Sequence, residues 1–159
     1  MTAHAQFPPG RLAGVDYGRR RIGIAVCDEH RILASPLVVH ETNGDKEADG
    51  LFFQTLITAE SLVGFVIGLP IHSDGSDSRM SAEVERFAHW LGEMSGLPFV
   101  FQDERYSSRE ATGLLAGSGL TRGKKKKRFD AVAAQVILDS WIESQKTGHA
   151  KSQGLSLDD

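Results

Sequence analysis

The sequence predicts a single α/β domain built on a five-stranded mixed sheet with helices on both faces. Three short apolar segments separated by tight turns, Leu12–Asp16, Ile22–Val26 and Ile32–Val39, indicate a three-strand antiparallel meander. Two later apolar segments, Gly64–Leu69 and Pro98–Gln102, alternate with amphipathic segments, as expected of parallel strands joined by helical crossovers. The first, fourth and fifth strands should therefore end at one edge of the sheet, where open α/β sheets bind ligands.

Helical periodicity accounts for the segments between and after these strands. Lys46–Leu62 and Ser78–Met94 are expected to be helices, a capping box from Ser107 to Glu110 predicts a third, and Arg128–Ser144 has the pattern of a fourth. The stripe of the first helix that should pack on the sheet is Leu51, Phe52, Thr55, Leu56 and Ala59. The corresponding stripes of the second and fourth helices are Val84, Phe87, Ala88 and Leu91, and Phe129, Val132, Ala133, Val136, Ile137, Ser140 and Trp141.

Length and composition bound the domain organisation. A chain of 159 residues, 40% of them hydrophobic, can bury one core, so we expect one domain over residues 11–145 with flexible ends at 1–10 and 146–159. The first residues lack the features of a signal peptide, and no segment has the roughly 20 apolar residues that span a bilayer. A cytoplasmic protein with no membrane partner is expected. Cys27 lies in an apolar strand and should be a core residue.

The charge is unevenly distributed along the chain. The net charge is −3, but the segment from Arg105 to Arg128 contains eight basic residues and one acidic residue. Its local charge of +7 leaves −10 for the remaining residues. Such a separation gives one region a positive field, and a polyanion such as a nucleic acid is the natural partner of that region.

Three acidic residues are candidates for a shared site. Asp16 ends the first strand, Glu104 follows the last strand, and Asp130 flanks the apolar face of the last helix. Each also has a simpler interpretation. Asp16 could be a turn aspartate, Glu104 could pair with Arg105 or be replaced in its role by Asp103, and Asp130 could interact with the start of its helix.

Three carboxylates at one strand edge would require a counter-charge. Hard oxygen ligands without a nearby cysteine favour Mg²⁺ or Mn²⁺ over Zn²⁺. Two such ions about 3.5 to 4 Å apart can activate a water molecule and stabilise the leaving 3′ oxygen of a phosphodiester. The predicted metal ligands are Asp16, Glu104 and Asp130. Among the six histidines only His72, in the loop after the fourth strand, is expected near a bound phosphate.

Basic residues provide candidate nucleic-acid contacts. Arg19, Arg20 and Arg21 occupy the first hairpin turn beside Asp16, and Arg105 follows Glu104. The run Lys124, Lys125, Lys126, Lys127 and Arg128 lies directly before Asp130 and could guide phosphates toward it. Solvated surface is the alternative for both groups, and a nuclear localisation signal is a further alternative for the run.

With these residues in place, the sequence resembles the YqgF/RuvX family of pre-16S rRNA nucleases and Holliday junction resolvase-like proteins. The resemblance covers about Leu12 to Trp141. Its motifs are Gly14-Val15-Asp16-Tyr17-Gly18 with Arg21-Ile22-Gly23-Ile24-Ala25-Val26, Val66-Ile67-Gly68-Leu69-Pro70 with Asp74-Gly75, Asp103-Glu104-Arg105, and Lys127 with Asp130 and Ala133-Ala134.

The resemblance implies a ribonuclease H-like fold, a catalytic trio on Asp16, Glu104 and Asp130, and a role in trimming the 5′ end of pre-16S rRNA, with ribosomal particles as partners. His72 stands where the family often has asparagine, and Tyr106-Ser107-Ser108 replaces a more usual Leu-Thr-Thr or Leu-Ser-Thr. The histidine leaves the details of the substrate loop open, because its charge depends on pH.

Three other functions are compatible with parts of the sequence. Resolution of branched DNA would use the same carboxylates, but it requires a stable dimer, whereas a monomer or weak homodimer is expected here. An actin-like ATPase or sugar kinase shares the Asp-x-Gly hairpin but needs two such domains. A non-catalytic nucleic-acid-binding module would use the basic run but would have no need of the three acids.

Overall fold

A computed structural model describes residues 7–70, 78–103 and 130–146. Within these residues the strands are β1 (Arg11–Asp16), β2 (Arg21–Cys27), β3 (Ala34–Glu41), β4 (Leu62–Leu69) and β5 (Phe99–Asp103). The helices are α1 (Lys46–Glu60), α2 (Ser78–Ser95) and α3, at residues 130–146. The predicted order of strands and helices is confirmed for the described part of the chain, and the helix predicted to begin at Ser107 lies outside it.

The five strands form one mixed sheet in the order β3-β2-β1-β4-β5. β1 pairs antiparallel with β2, and β2 with β3, so the meander is confirmed. β4 is parallel to β1, and β5 is parallel to β4. The carboxyl ends of β1, β4 and β5 therefore share one edge, and this edge carries Asp16, Leu69 and Asp103.

Side chains alternate between the two faces of the sheet, and each face is covered by different helices. Val15, Ile24, Phe65 and Ile67 belong to a core with buried residues of α1 and α2. Leu12 and Val66, which point the other way, form a second core with residues of α3, namely Ile137, Leu138, Trp141 and Ile142. Phe7 joins this second core, where its ring meets that of Trp141 edge to face.

Helix α3 approaches the sheet unusually closely because two strand residues lack side chains. A Cβ atom at Gly14 would lie 2.6 Å from the carbonyl oxygen of Ala134 and 2.8 Å from Cβ of Leu138. A Cβ atom at Gly23 would overlap the carbonyl group of Asp130. Any other residue at these two positions would push the helix away from β1 and β2.

The buried stripe of α1 differs from the prediction. Of the five predicted residues, Leu56 is buried and Phe52 packs against the core, whereas Leu51 is 70% exposed and Thr55 and Ala59 are also exposed. Phe53, which the prediction omitted, is buried. The stripe is rotated by about 100°, the angle between successive helical residues. The reason is that Asp49 lies on the buried side, where it bonds to His40 and Thr42, and a polar residue there is invisible to a count of apolar spacing.

Strand β3 begins at Ala34, two residues later than predicted. The carboxylate of Asp28 accepts hydrogen bonds from the backbone N–H groups of His30, Ile32 and Leu33, which holds this segment in a turn. Ile32 and Leu33 are consequently more than 60% exposed, although their apolar character suggested a strand.

The remaining boundaries differ by one or two residues, and the predicted core residues Val84, Ala88, Leu91 and Cys27 are buried. In α3, the predicted residues Val132, Ala133, Val136, Ile137 and Trp141 are buried, and Phe129 lies outside the described residues. None of the helices that the structure describes is both long and apolar enough to cross a membrane.

Candidate active site

Asp16 lies at the carboxyl end of β1 on the face covered by α3. It follows Leu12 and Gly14 at intervals of two, and both of these residues face α3. In the antiparallel pairing of β1 with β2, Asp16 stands opposite Gly23. The carboxylate is therefore placed at the sheet edge, beside the position where the side chain of residue 23 would stand if it were not glycine.

The backbone of Asp130 fills the space that a side chain at residue 23 would need. It begins the described part of α3, and its backbone carbonyl lies against the Cα atom of Gly23. Because Gly23 pairs with Asp16, the close approach of α3 brings the two acidic residues to the same corner of the sheet. The shared site of Asp16 and Asp130 stays a prediction, and the absence of a side chain at residue 23 is what allows the backbone of Asp130 to approach the residue that pairs with Asp16.

Arg21 holds the Asp130 side chain. Its Nε atom donates to Oδ2 of Asp130 at 2.8 Å, and both side chains are largely buried, with 29% and 19% exposed. A carboxylate beside the apolar face of a helix is costly unless it is paired, and the guanidinium supplies the pairing. Arg21 therefore both orients Asp130 and supplies positive charge beside the two acids.

The other arginines of the hairpin turn are placed differently. Arg19 forms a two-pronged ion pair with Glu83 of α2, with contacts of 2.9 Å and 2.7 Å, and this hydrogen bonding lowers the pKa of Glu83. Arg20 is exposed, and its carbonyl accepts a hydrogen bond from the N–H of Thr42. A shallow depression runs over this turn and is lined by Arg19, Arg20, Arg21, Glu41, Thr42 and Asn43.

Asp103 is the acidic residue that sequence alone could not separate from Glu104. It ends β5 at an interval of two from Phe99 and Phe101, which pack on the core between the sheet and helices α1 and α2. Strand alternation therefore places Asp103 on the face opposite to Asp16. The other predicted site residues lie outside the described residues: Glu104, His72, Arg105, Lys124, Lys125, Lys126, Lys127 and Arg128.

The acidic corner suits a hard divalent cation in its chemistry. Asp16 and Asp130 offer carboxylate oxygens, the donor type that Mg²⁺ and Mn²⁺ prefer. Among the residues that the structure describes, no group of three or more His, Cys, Asp or Glu side chains could hold a metal ion. The structure describes two of the three predicted metal ligands, Asp16 and Asp130, and their carboxylate oxygens are of the type that Mg²⁺ and Mn²⁺ bind.

Comparison with known proteins identifies the family. The family model described as RuvX, Holliday junction resolvase, matches residues 10–144. The chain belongs to the RuvX family. A relative from Rhodopirellula baltica, named "Putative pre-16S rRNA nuclease", is 48% identical over 144 residues, which cover 90% of this chain and 83% of that protein. A relative of the same name from Sphingopyxis alaskensis is 36% identical over 138 residues, which cover 85% of this chain and 88% of that protein.

The fold of this RuvX family member is similar to a solved resolvase structure. RuvC of T. thermophilus in complex with a Holliday junction substrate superposes with a TM-score of 0.54 at 14% identity, covering 86% of this chain and 96% of that chain. At this low identity the likeness concerns the fold alone. The mixed sheet with three antiparallel strands, two parallel strands and helices on both faces is the ribonuclease H-like fold, as predicted.

Sequence reasoning proposed both acids as site residues, which stays a prediction, and it missed the two glycines that let α3 approach β1 and β2. Gly14 and Gly23 each sit in the middle of an apolar strand, where glycine weakens the strand and so indicates a close backbone approach. The two glycines therefore indicated a close approach from the sequence alone. The sequence did not indicate which segment makes that approach, because α3 lies more than 100 residues further along the chain.

Proposed function

We propose that this RuvX family protein is a metal-dependent nuclease that processes the 5′ end of pre-16S rRNA, with Asp16, Glu104 and Asp130 as its catalytic residues. The observation that carries the proposal is the packing of the Asp130 backbone on Gly23, the residue that pairs with Asp16 at the carboxyl edge of the sheet. The names of the relatives support nuclease activity and this substrate. Glu104 directly follows Asp103, the last residue of β5, and is the proposed third acid.

The proposed cofactor is Mg²⁺ or Mn²⁺, held by Asp16, Glu104 and Asp130. Such ions, when bound by carboxylates, make a water molecule nucleophilic and stabilise the leaving oxygen of a phosphodiester. The described residues contribute by orientation and charge. Arg21 fixes the Asp130 carboxylate at one oxygen, and the close packing of α3 on Gly23 prevents that carboxylate from drifting away from Asp16.

The proposed nucleic-acid contacts are basic residues and one histidine. Arg19, Arg20 and Arg21 line one depression at the hairpin turn after β1, which supports their role in holding phosphates. The other proposed contacts are His72, Arg105, Lys124, Lys125, Lys126, Lys127 and Arg128, and their support is the charge of the sequence. We further propose a domain at residues 11–145, a cytoplasmic location, ribosomal particles as partners, and a monomer or weak homodimer.

Cleavage of an end-labelled RNA carrying the pre-16S leader tests the function. Wild-type protein with Mg²⁺ or Mn²⁺ should give defined products, and chelator should remove them. Asp16→Asn, Glu104→Gln and Asp130→Asn should each abolish turnover while RNA affinity stays within a few-fold. Asp103→Asn is the matched control, because it removes a neighbouring carboxylate from the opposite face, and it should cleave nearly as well as wild type. Wild-type rates for all three acid variants would refute the assignment and favour a binding module.

A second candidate function is cleavage of four-way DNA junctions, which the description of the family model favours. Resolution requires two coordinated cuts and hence a stable dimer. The same variants assayed on a four-way junction, with the molar mass measured by light scattering, discriminate the two. Junction cleavage by a stable dimer, without cleavage of the RNA, would support the second candidate over the first.

A further inference from the structure

A cleft opens on the face of the sheet opposite to the acidic corner. Its volume is about 270 Å³, and it lies between the first hairpin turn, the start of α1 and the middle of α2. Tyr17, the residue directly after Asp16, lines it and packs on the core shared with α1 and α2. The cleft and the acidic corner are therefore separated only by the edge of the sheet, at the point where β1 ends.

Three aromatic rings form one side of the cleft. The rings of Tyr17 and Phe87 are 4.7 Å apart and inclined by 33°, and those of Phe87 and Trp90 are 5.9 Å apart and inclined by 37°. All three rings are partly buried, so each rests on the core and leaves part of its surface toward the cleft. A row of fixed aromatic surfaces of this kind stacks well against planar heterocycles.

The charges around the rings favour a ligand that carries phosphate. Three cations line the cleft, Arg19, Lys46 and Arg86, against two carboxylates, Asp49 and Glu83. Both carboxylates are engaged by their own partners. Those of Asp49 are His40 and Thr42, each at 2.7 Å, and that of Glu83 is Arg19. Lys46 and Arg86 are exposed at the rim, where they can meet an anion.

The cleft is continuous with the depression that leads to the acids. Arg19 and Thr42 line both concavities, and the depression also includes Arg21, which is bonded to Asp130. A strand whose phosphates cross the three arginines of the turn would thus connect the acidic corner to the aromatic cleft. The spacing is short, since Asp16 and Tyr17 are neighbours in the chain.

We propose that this cleft binds one unpaired base of the nucleic-acid strand being cut, stacked on Trp90 beside Phe87 and Tyr17, while its phosphates contact the hairpin turn. The inference rests on the proposed nuclease function and adds a requirement for single-stranded nucleic acid beside the cut. The volume of about 270 Å³ lies just below the roughly 300–1,000 Å³ of pockets for drug-sized ligands, so the cleft has room for one base and not for a run of stacked bases. The base belongs to a strand and is not a free nucleotide.

Tryptophan fluorescence tests the proposal directly. The chain has two tryptophans, so Trp141→Phe leaves Trp90 as the only one. With Asp16→Asn also present to prevent cleavage, a single-stranded RNA of about eight nucleotides should quench Trp90 as it binds. A blunt duplex of the same sequence should bind, as seen by anisotropy of a terminal dye, without quenching. AMP should quench only at concentrations at least about 100-fold higher than the single strand.

Three results would overturn the proposal. They are binding of the single strand without any change in Trp90 fluorescence, equal quenching by the duplex, and quenching by AMP at the concentration of the single strand. The last result would indicate a free-nucleotide site. Because this assay does not require turnover, its outcome is independent of whether the pre-16S leader is cleaved.

Matched variants separate stacking from folding. Trp90→Leu should weaken single-strand affinity by roughly 5- to 100-fold and leave duplex affinity unchanged, and Trp90→Phe should restore most of the loss because it keeps a ring. Lys46→Gln should weaken the single strand several-fold more than Lys146→Gln, an exposed lysine at the far end of α3. Equal losses for single strand and duplex, with a normal circular dichroism melt, would contradict the proposal. If Trp90→Leu cleaved the leader at the wild-type rate, the stacking proposal would also be contradicted, but the proposed nuclease function would still stand.

Discussion

The two faces of the sheet are covered in opposite ways. On the α1 and α2 face, contact is made by large side chains, with Phe53 at the centre among the rings of Phe65, Phe87 and Trp90. On the α3 face, side chains such as Leu12 and Trp141 also pack together, but at Gly14 and Gly23 the backbone of the helix itself rests on the strands. Side-chain packing tolerates small adjustments, whereas contact between two backbones does not. The acidic corner lies on the less tolerant face, so its geometry is held by the main chain.

Removal of the central side chain on the α1 and α2 face should have the largest effect on stability. Phe53→Ala leaves a cavity among aromatic rings and should lower the free energy of unfolding by about 3 to 5 kcal/mol. Leu51→Ala is the control on the same helix, because Leu51 is 70% exposed, and it should change stability by less than about 0.5 kcal/mol. Urea unfolding measures both. Similar losses for the two variants would show that the stripe of α1 is assigned wrongly.

Addition of one carbon on the α3 face should affect activity more than stability. In Gly23→Ala the new Cβ overlaps the carbonyl of Asp130, so α3 must shift away from β2. Overpacking of this kind costs about 1 to 3 kcal/mol, and a displacement near 1 Å can reduce turnover by about 100-fold. Leader cleavage per folded molecule, with folding followed by urea titration, checks the result. Wild-type turnover in this variant would mean that the backbone contact does not position Asp130.

The pH dependence of stability should reveal how α3 is anchored to the edge strand. The carboxylate of Asp139 accepts the N–H of Ala34 at 2.9 Å, and burial raises the pKa of Asp139. A raised carboxyl pKa means that the folded protein binds this proton more tightly than the unfolded chain. The resulting stabilisation is present below the unfolded pKa and is lost as pH rises through the folded one.

Asp139→Asn keeps an oxygen acceptor for Ala34 and does not titrate. The melting temperature of Asp139→Asn minus that of wild type should therefore be larger at about pH 7 than at about pH 4. Asp139→Ala, which removes the acceptor, should lose about 1 kcal/mol at both values. A constant difference between Asp139→Asn and wild type across this range would show that titration of the Asp139 carboxyl group does not influence stability.

The smallest expected effect is a gain in stability from a substitution on the α1 and α2 face. Gly50 lies inside α1, and a Cβ atom there would meet Trp90 and Met94 at 3.8 and 3.9 Å, which is ordinary contact. Gly50→Ala should therefore stabilise the protein by about 0.5 to 1 kcal/mol through helix propensity. The thermal midpoint is the measurement. A loss of stability comparable to that of Gly23→Ala would remove the distinction between the two faces.

Much of this arrangement could be predicted from local patterns. Apolar alternation and the helical crossovers were sufficient for the sheet, and therefore for the edge that carries Asp16. The errors occurred where a polar side chain organises the backbone. Asp28 turns Ile32 and Leu33 out of the strand, and Asp49 occupies the buried stripe of α1. Periodicity counts apolar residues and does not register a satisfied carboxylate.

Contacts between distant segments were the other limit. Arg21 was predicted as a phosphate contact, and that prediction stays open, but its bond to Asp130 joins residues 109 positions apart, which no local pattern indicates. The aromatic cleft has the same origin. Phe87 and Trp90 lie on α2, whereas Tyr17 directly follows β1, and only the folded chain places the ring of Tyr17 in one row with the other two.

The late position of α3 in the chain has a consequence for biosynthesis. A ribosome adds amino acids from the N-terminus, and domains begin to fold as they emerge. A nascent chain that has reached Asp103 can contain every strand that the structure describes, together with Asp16, but it has neither Asp130 nor the helix that covers Gly14 and Gly23. The two acidic residues can therefore be brought together only after α3 has been made, more than 100 residues after Asp16. A nuclease that uses both acids would thus be unable to cut RNA while its strands are still emerging from the ribosome.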